Sequence, residues 1–164
     1  MLIRVFLMAV AVLTLVSPSY GESTPSAGSN PPRLIQVKTP SGTVIQAEIA
    51  DTPQKRATGL MYSDHLKKDH GMMFFFDQAQ EWTFWMKNTL IPLDMLFVDE
   101  YGCVVKVQRD ARPGSLDTIQ SGEPVVLVVE LAGGTAKILG LTVGDRVVRP
   151  DARWPAATRA CQAN

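Results

Sequence analysis

Net charge is the first thing this sequence lacks: 16 Lys and Arg side chains stand against 16 Asp and Glu. Without a long-range field the chain has no means of gathering nucleic acid or anionic lipid, and those function classes are set aside. Histidine is scarce too. His65 and His70 fall together in the polar stretch "SDHLKKDHG", and no Gly-x-Ser-x-Gly elbow exists, so no hydrolase triad is written here. A phosphate loop and a dinucleotide fingerprint are both missing; Gly133-Gly134-Thr135 reads as the entry to a helix. Only two cysteines occur, Cys103 and Cys161, neither with a convincing base partner. In an oxidising compartment they could form one disulfide that pins the C-terminal end. The alternative is that Cys103, in "GCVVKV", is a small buried apolar side chain.

Long apolar runs are also rare, and the one that exists opens the chain. "MLIRVFLMAVAVLTLVSPSYGES" carries an early Arg4, an apolar run from Val5 to Val16, a helix-breaking Pro18, and small residues at Ser19 and Gly21. That is the layout of a secretory signal peptide over residues 1–21. An uncleaved anchor is the competing reading, although the run is slightly short of a span of ~17–25 residues. No Cys follows to carry a lipid. Cleavage would remove Arg4 alone among charged groups and leave 15 basic against 16 acidic side chains. The expectation is therefore a periplasmic or secreted protein with no stable membrane span. Residues 22–32, "ESTPSAGSNPP", hold no apolar side chain larger than Ala and read as a flexible tether. Residues 151–164 read as a mostly loose tail. Residues 33–150 remain, enough for a single domain with its own core.

What is present is β patterning. "LIQVK" and "TVIQAEIA" flank the turn "TPSG", and Ile45, Ala47 and Ile49 alternate with Gln46 and Glu48, the period of a half-buried strand. Further strands are expected at Met72–Phe76, Trp82–Lys87, Leu93–Asp99, Cys103–Arg109, Val125–Leu131 and Asp145–Arg149. "DEYG" has the composition of a tight hairpin turn. Thr52 as N-cap, Pro53 at the first position and Gly59 as stop mark one short helix. "GGTAKILGLTVGD" marks a second, terminated at Gly140. About eight short strands with two short helices predict a mainly β domain, sandwich-like or a partly open barrel. An α+β arrangement with both helices on one sheet face is the alternative.

The segments "ATGLMYSDHL", "GMMFFFD", "FWMKNTLIPLDMLFVDEYGCVV", "SGEPVVLVVEL" and "GGTAKILGLTVGDRV" occur in this order. Together they resemble the family catalogued as domain of unknown function 192 (DUF192), small bacterial and archaeal proteins that are often exported. The resemblance runs from Gln46 to Val148. It implies a mostly β, sandwich-like domain and no particular reaction. The family often carries a Pro-Cys pair in the loop matching "RDARPGSLD"; here Arg112-Pro113-Gly114 stands there, so a role for a loop thiol does not carry over.

Two features point to a site. In "EWTFWMKNT" a strand would turn Trp82, Phe84 and Met86 to one side and Thr83, Trp85 and Lys87 to the other. The first side must be core. The second is either a second core face with Lys87 snorkelling, or a groove floored by Trp85 and edged by Lys87 and Asn88, suited to a sugar ring or another flat, partly apolar ligand. Asp94 in "IPLDMLFV" and Glu130 in "VLVVEL" are lone carboxylates in apolar runs, and burial of such a group requires a partner. Lys87, Arg56 or nearby backbone amides could answer Asp94, and Arg56, Lys87, Asp94 and Glu130 could line one charge-balanced cleft.

The leading expectation is a non-enzymatic binding or accessory module of the cell envelope. Its ligand would be an extracytoplasmic one, a glycan or an envelope component, contacted by Trp85, Lys87, Asn88, Asp94 and Arg56. A hydrolase using Asp94 and Glu130 as its paired carboxylates is the alternative. A second alternative is a copper-handling protein built on Met61, Met72, Met73, Met86 and Met95, since thioethers select Cu(I). Each Met lies in an apolar run where it also serves as core filler. Asp64, His65, Asp69 and His70 carry two lysines between them, which opposes a cation. No metal and no cofactor is expected.

Overall fold

Strand β2 (Val44–Ala50) buries Ile45, Ala47 and Ile49 and turns Val44 and Gln46 to solvent, as its alternation predicts. The computed structural model describes residues 34–38, 44–147 and 160–162. The expected leader, the tether, the "TPSG" turn and most of the tail lie outside the described residues. β1 (Leu34–Lys38) pairs antiparallel with β2. β2 then runs parallel to β3 (His70–Gln80). A parallel pair needs a long crossover, and residues 51–69 supply it, including α1 (Pro53–Thr58). Thr52 caps that helix by accepting the Lys55 N–H at 3.1 Å, and the helix stops at Gly59, where φ is +50°.

The remaining elements are β4 (Thr83–Phe84), β5 (Leu93–Val98), β6 (Val104–Ala111), β7 (Ile119–Gln120), β8 (Val125–Ala132) and α2 (Thr135–Ile138). Six strands form one open sheet in the order β1-β2-β3-β8-β5-β6, while β4 and β7 form a separate two-stranded ribbon. The domain is mainly β with two short helices, as expected, and the sheet does not close. Among the described residues no helix is long and apolar enough to cross a membrane.

The sheet separates two apolar layers. One face carries Ile45, Met73, Leu96, Val129 and Leu131 and is covered by Ala136, Leu141 and Val147. The other carries Met72, Phe74, Met95, Phe97 and Val128 and is covered by Met86, Phe84 and Trp82. Strands β5 and β8 sit between both layers and are buried along nearly their whole length. α2 belongs to the first layer, through Ala136. Thr58 and its neighbours at the end of α1 instead face Phe74, in the second layer. The two helices are therefore on opposite faces, and the arrangement with both on one face does not occur.

Two expected strands are shorter than their sequence patterns. Of Trp82–Lys87 only Thr83–Phe84 pairs as a strand, because the backbone then turns into a loop: Met86 N–H donates to Ser115 O at 3.1 Å, and Asn88 takes φ +58°. The alternation survives, with Met86 buried and Trp85 and Lys87 exposed. Of Asp145–Arg149, the described residues show one bridge, Cys103 with Arg146. The "DEYG" turn forms as expected, with Asp99 accepting from the backbone N–H groups of Tyr101 and Cys103. Cys103 and Cys161 are joined in a disulfide across 58 residues of chain, with Cα atoms 5.3 Å apart. It fastens the described end of the tail to the start of β6.

Candidate functional site

Between the end of α1 and the ribbon, the second face of the sheet is left open as a cleft of about 420 Å³. Five aromatic side chains line it: Phe74 and Phe76 from β3, and Trp82, Phe84 and Trp85 from the ribbon strand and its ends. Phe76 stacks on Trp82 with centroids 3.8 Å apart, and Phe84 meets Phe74 edge-on at 5.5 Å. The walls are thus held by ring packing, and such pairs add ~0.5–1.5 kcal/mol beyond the area they bury. Residues Thr58 to Met61 close the opposite side. Gly59 is needed there: a Cβ would come 3.2 Å from Phe74 Cζ and 3.8 Å from Glu130 Oε2, on a backbone that L side chains rarely adopt.

At the base lies Glu130. It is only 5% exposed, and its Oε2 has no hydrogen-bond partner among the described residues. Desolvation raises its pKa from 4.5 to about 8, so near neutral pH it holds a proton. Trp82, in the wall, carries a second orphan, since its buried Nε1–H finds no acceptor among the described residues either. Arg56 lines the cleft from α1, and one of its guanidinium nitrogens donates to Phe75 O at 3.3 Å.

Of the residues anticipated from sequence, Arg56, Trp85 and Glu130 meet in this cleft. Trp85 is 47% exposed and forms part of the rim, not the floor; the floor is Phe74, Phe84 and Glu130. Lys87 and Asn88 lie next to the rim. The Lys87 ammonium sits 5.1 Å from the Trp85 ring centroid, and the Asn88 side-chain amide donates to the Tyr62 hydroxyl at 3.0 Å.

Asp94 is elsewhere. In the β5–β8 pairing Asp94 stands opposite Leu131, and Met95 opposite Glu130. The two carboxylates therefore project from opposite faces of the sheet. Asp94 is fully buried and accepts the backbone N–H of Asp110 at 2.8 Å and of Ala136 at 2.7 Å. The β5–β6 register shifts between Leu93 and Met95, and Asp110 takes φ +46° at that irregularity. A bulge leaves a backbone amide unpaired, and Asp94 answers it while tying the start of α2 to the sheet. Its job is structural, and it supplies no second carboxylate to Glu130.

Four of the five candidate methionines are core filler, Met73 in the first layer and Met72, Met86 and Met95 in the second, while Met61 lines the cleft. No group of three or more His, Cys, Asp or Glu side chains converges among the described residues. Sequence reasoning missed Phe74, Phe76 and Gly59 as site residues. The signal was present in "GMMFFFD", where Phe74 and Phe76 share a face two residues apart.

Comparison with known proteins places the chain. A protein of Sinorhizobium meliloti 1021, described as a "putative transcription regulator", is 39% identical over 74% of this chain and 98% of its own, with a TM-score of 0.68. A protein of unknown function from Novosphingobium aromaticivorans DSM 12444 is 32% identical over 78% of this chain and 99% of its own, with a TM-score of 0.67. No curated protein matches. The family DUF192, described as "Uncharacterized ACR", matches residues 35–149, and the chain belongs to that family.

Proposed function

We infer that the protein is an exported, non-enzymatic binding module whose aromatic cleft holds a small, partly apolar ligand outside the cytoplasm. The observation that carries this reading is the cleft itself: five aromatic residues around a buried Glu130 whose Oε2 has no hydrogen-bond partner among the described residues. Its volume falls in the range of small-molecule sites, ~300–1,000 Å³, and such sites are mostly apolar walls with a few placed polar groups. Sugar rings and other flat envelope components suit an aromatic rim of this kind. The hydrolase alternative loses support, because among the described residues Glu130 is the only carboxylate lining the cleft and two are needed. The regulator label of the Sinorhizobium protein is not extended to this chain, whose charge balance offers little to a phosphate backbone.

Export rests on the leader-like residues 1–21, and an extracytoplasmic species with the intact mass of a chain beginning at Glu22 would support it. Binding is tested by thermal shift and tryptophan fluorescence against a panel of glycans and small apolar compounds. A ligand should raise the melting temperature of the parent and bind at least about tenfold more weakly to Trp85→Ala, which keeps its fold because Trp85 is half exposed. If nothing in the panel shifts the parent, or Trp85→Ala binds as well, the reading fails.

A further inference from the structure

Among the described residues the cleft is lined by one acidic side chain, Glu130, and one cationic one, Arg56, with the hydroxyl side chains of Thr58, Thr83 and Thr89 as its other polar ones. A guanidinium has further N–H groups beyond the one Arg56 gives to Phe75 O. Glu130 stays a neutral acid with an O–H to donate. The groups facing it can be named element by element. From α1 comes Arg56, while Lys55 is turned away toward Glu48 and Asp51. From β3 come its cross-strand neighbour Met72 together with Phe74 and Phe76, and from β5 the cross-strand neighbour is Met95. The ribbon contributes rings and Thr83, with Lys87 just beyond on the Trp85 face. Arg56 is the one cation among the described lining residues, and beside a neutral acid it gives the cleft a positive balance.

A buried donor without an acceptor is costly, and a ligand acceptor relieves it. A cationic ligand would meet Arg56 unfavourably and would have to strip the proton from Glu130. A neutral apolar ligand would leave the Glu130 acid unsatisfied. Building on the binding-module reading, we propose that the cleft takes a monocarboxylate with an aromatic or otherwise apolar body. Its carboxylate would accept from Glu130 and Arg56, and its body would lie against Phe74, Phe84 and Trp85. The acid–carboxylate contact is a charge-assisted O–H···O⁻ hydrogen bond, among the stronger kinds available. It exists only while Glu130 keeps its proton.

Three probes of similar shape separate the ligand classes: phenylacetate, phenylacetamide and phenethylammonium, titrated into the full chain by calorimetry from about pH 6 to about pH 9.5. Phenylacetate should bind most tightly. Its affinity should be flat below about pH 8 and fall by up to tenfold per pH unit above it, because the deprotonated Glu130 repels the carboxylate. Glu130→Gln keeps an N–H donor without the titration, so it should still bind phenylacetate, and the fall above about pH 8 should disappear. Arg56→Gln should weaken phenylacetate and leave phenylacetamide little changed. The proposal is overturned if phenethylammonium binds best, if phenylacetate affinity is flat or rises across the alkaline range, or if Glu130→Gln keeps the parent's pH profile. The parent's profile alone decides the matter should a variant fail to fold. A panel ligand that binds through Trp85 with no preference for carboxylate sinks this inference and leaves the binding module standing. Silence from every ligand sinks both.

Discussion

Replacing Glu130 by Gln should change how stability depends on pH, independent of any ligand. The carboxyl lies at the base of the cleft with one oxygen unpartnered among the described residues, and burial alone moves its pKa from 4.5 to about 8. Between those values the folded chain holds a proton that the unfolded chain has released. Stability therefore falls as pH rises through that window: the favourable contribution is complete below about pH 4.5 and gone above about pH 8. At ~1.4 kcal/mol for each pH unit between the two values, the whole window is worth on the order of 5 kcal/mol, and the part from about pH 5 to about pH 8 roughly 4. The measurement is urea unfolding at several pH values with the disulfide intact, for the parent and for Glu130→Gln. Subtracting the two profiles removes other titrations common to both. Asp64 and Asp69, held below the usual carboxylate range by hydrogen bonds to His65 and His70, titrate beneath the window. The difference should slope across it, with the variant gaining on the parent as pH rises. Parallel profiles would mean that Glu130 is ionised and solvated in the folded chain, and the account of the cleft base would be wrong.

Asp94→Ala removes two charge-assisted hydrogen bonds, to the Asp110 and Ala136 amides, and should cost ~3–5 kcal/mol in chemical denaturation. A variant that unfolds at the parent's midpoint would show that the bulge and the start of α2 do not depend on this carboxylate. Reducing the Cys103–Cys161 bridge opens a loop of 58 residues and should lower stability by ~2–4 kcal/mol. An unfolding midpoint unchanged by reductant would show that the tail contributes nothing through this bond.

The strands were legible where sequence periodicity and turn chemistry agreed. β2 alternates cleanly, Thr52 and Gly59 bracket α1, and Asp99 closes the turn before β6. Leu141 folds back after Gly140 by donating its backbone N–H to Ala136 O at 2.8 Å. The ribbon was less legible because it depends on distant partners. Trp82 and Ser121 exchange backbone and side-chain hydrogen bonds across 39 residues, and β7 is only Ile119–Gln120, too short to leave a pattern. The alternation of Trp82, Phe84 and Met86 against Trp85 and Lys87 predicted which side faces inward. It could not predict where pairing stops, since that is set by the Met86–Ser115 contact.

The two lone carboxylates show where sequence reasoning stops. Asp94 and Glu130 look alike in sequence, each a single acid in an apolar strand, and both were expected to need partners. β5 and β8 are buried on both faces, so neither strand has a polar side that would reveal its register. Register alone separates the two acids. With Asp94 opposite Leu131, the carboxylates are one residue out of step and emerge on opposite faces; a slip of one residue would have set them side by side. On the first face the bulge at Asp110 and the start of α2 offered amides, and Asp94 became a structural acceptor. On the second face the cover is rings and the glycine turn after α1, and among the described residues nothing there donates to the Glu130 Oε2. The same sequence feature thus yields a satisfied structural group on one side of the sheet and an unsatisfied acid at the base of a cleft on the other.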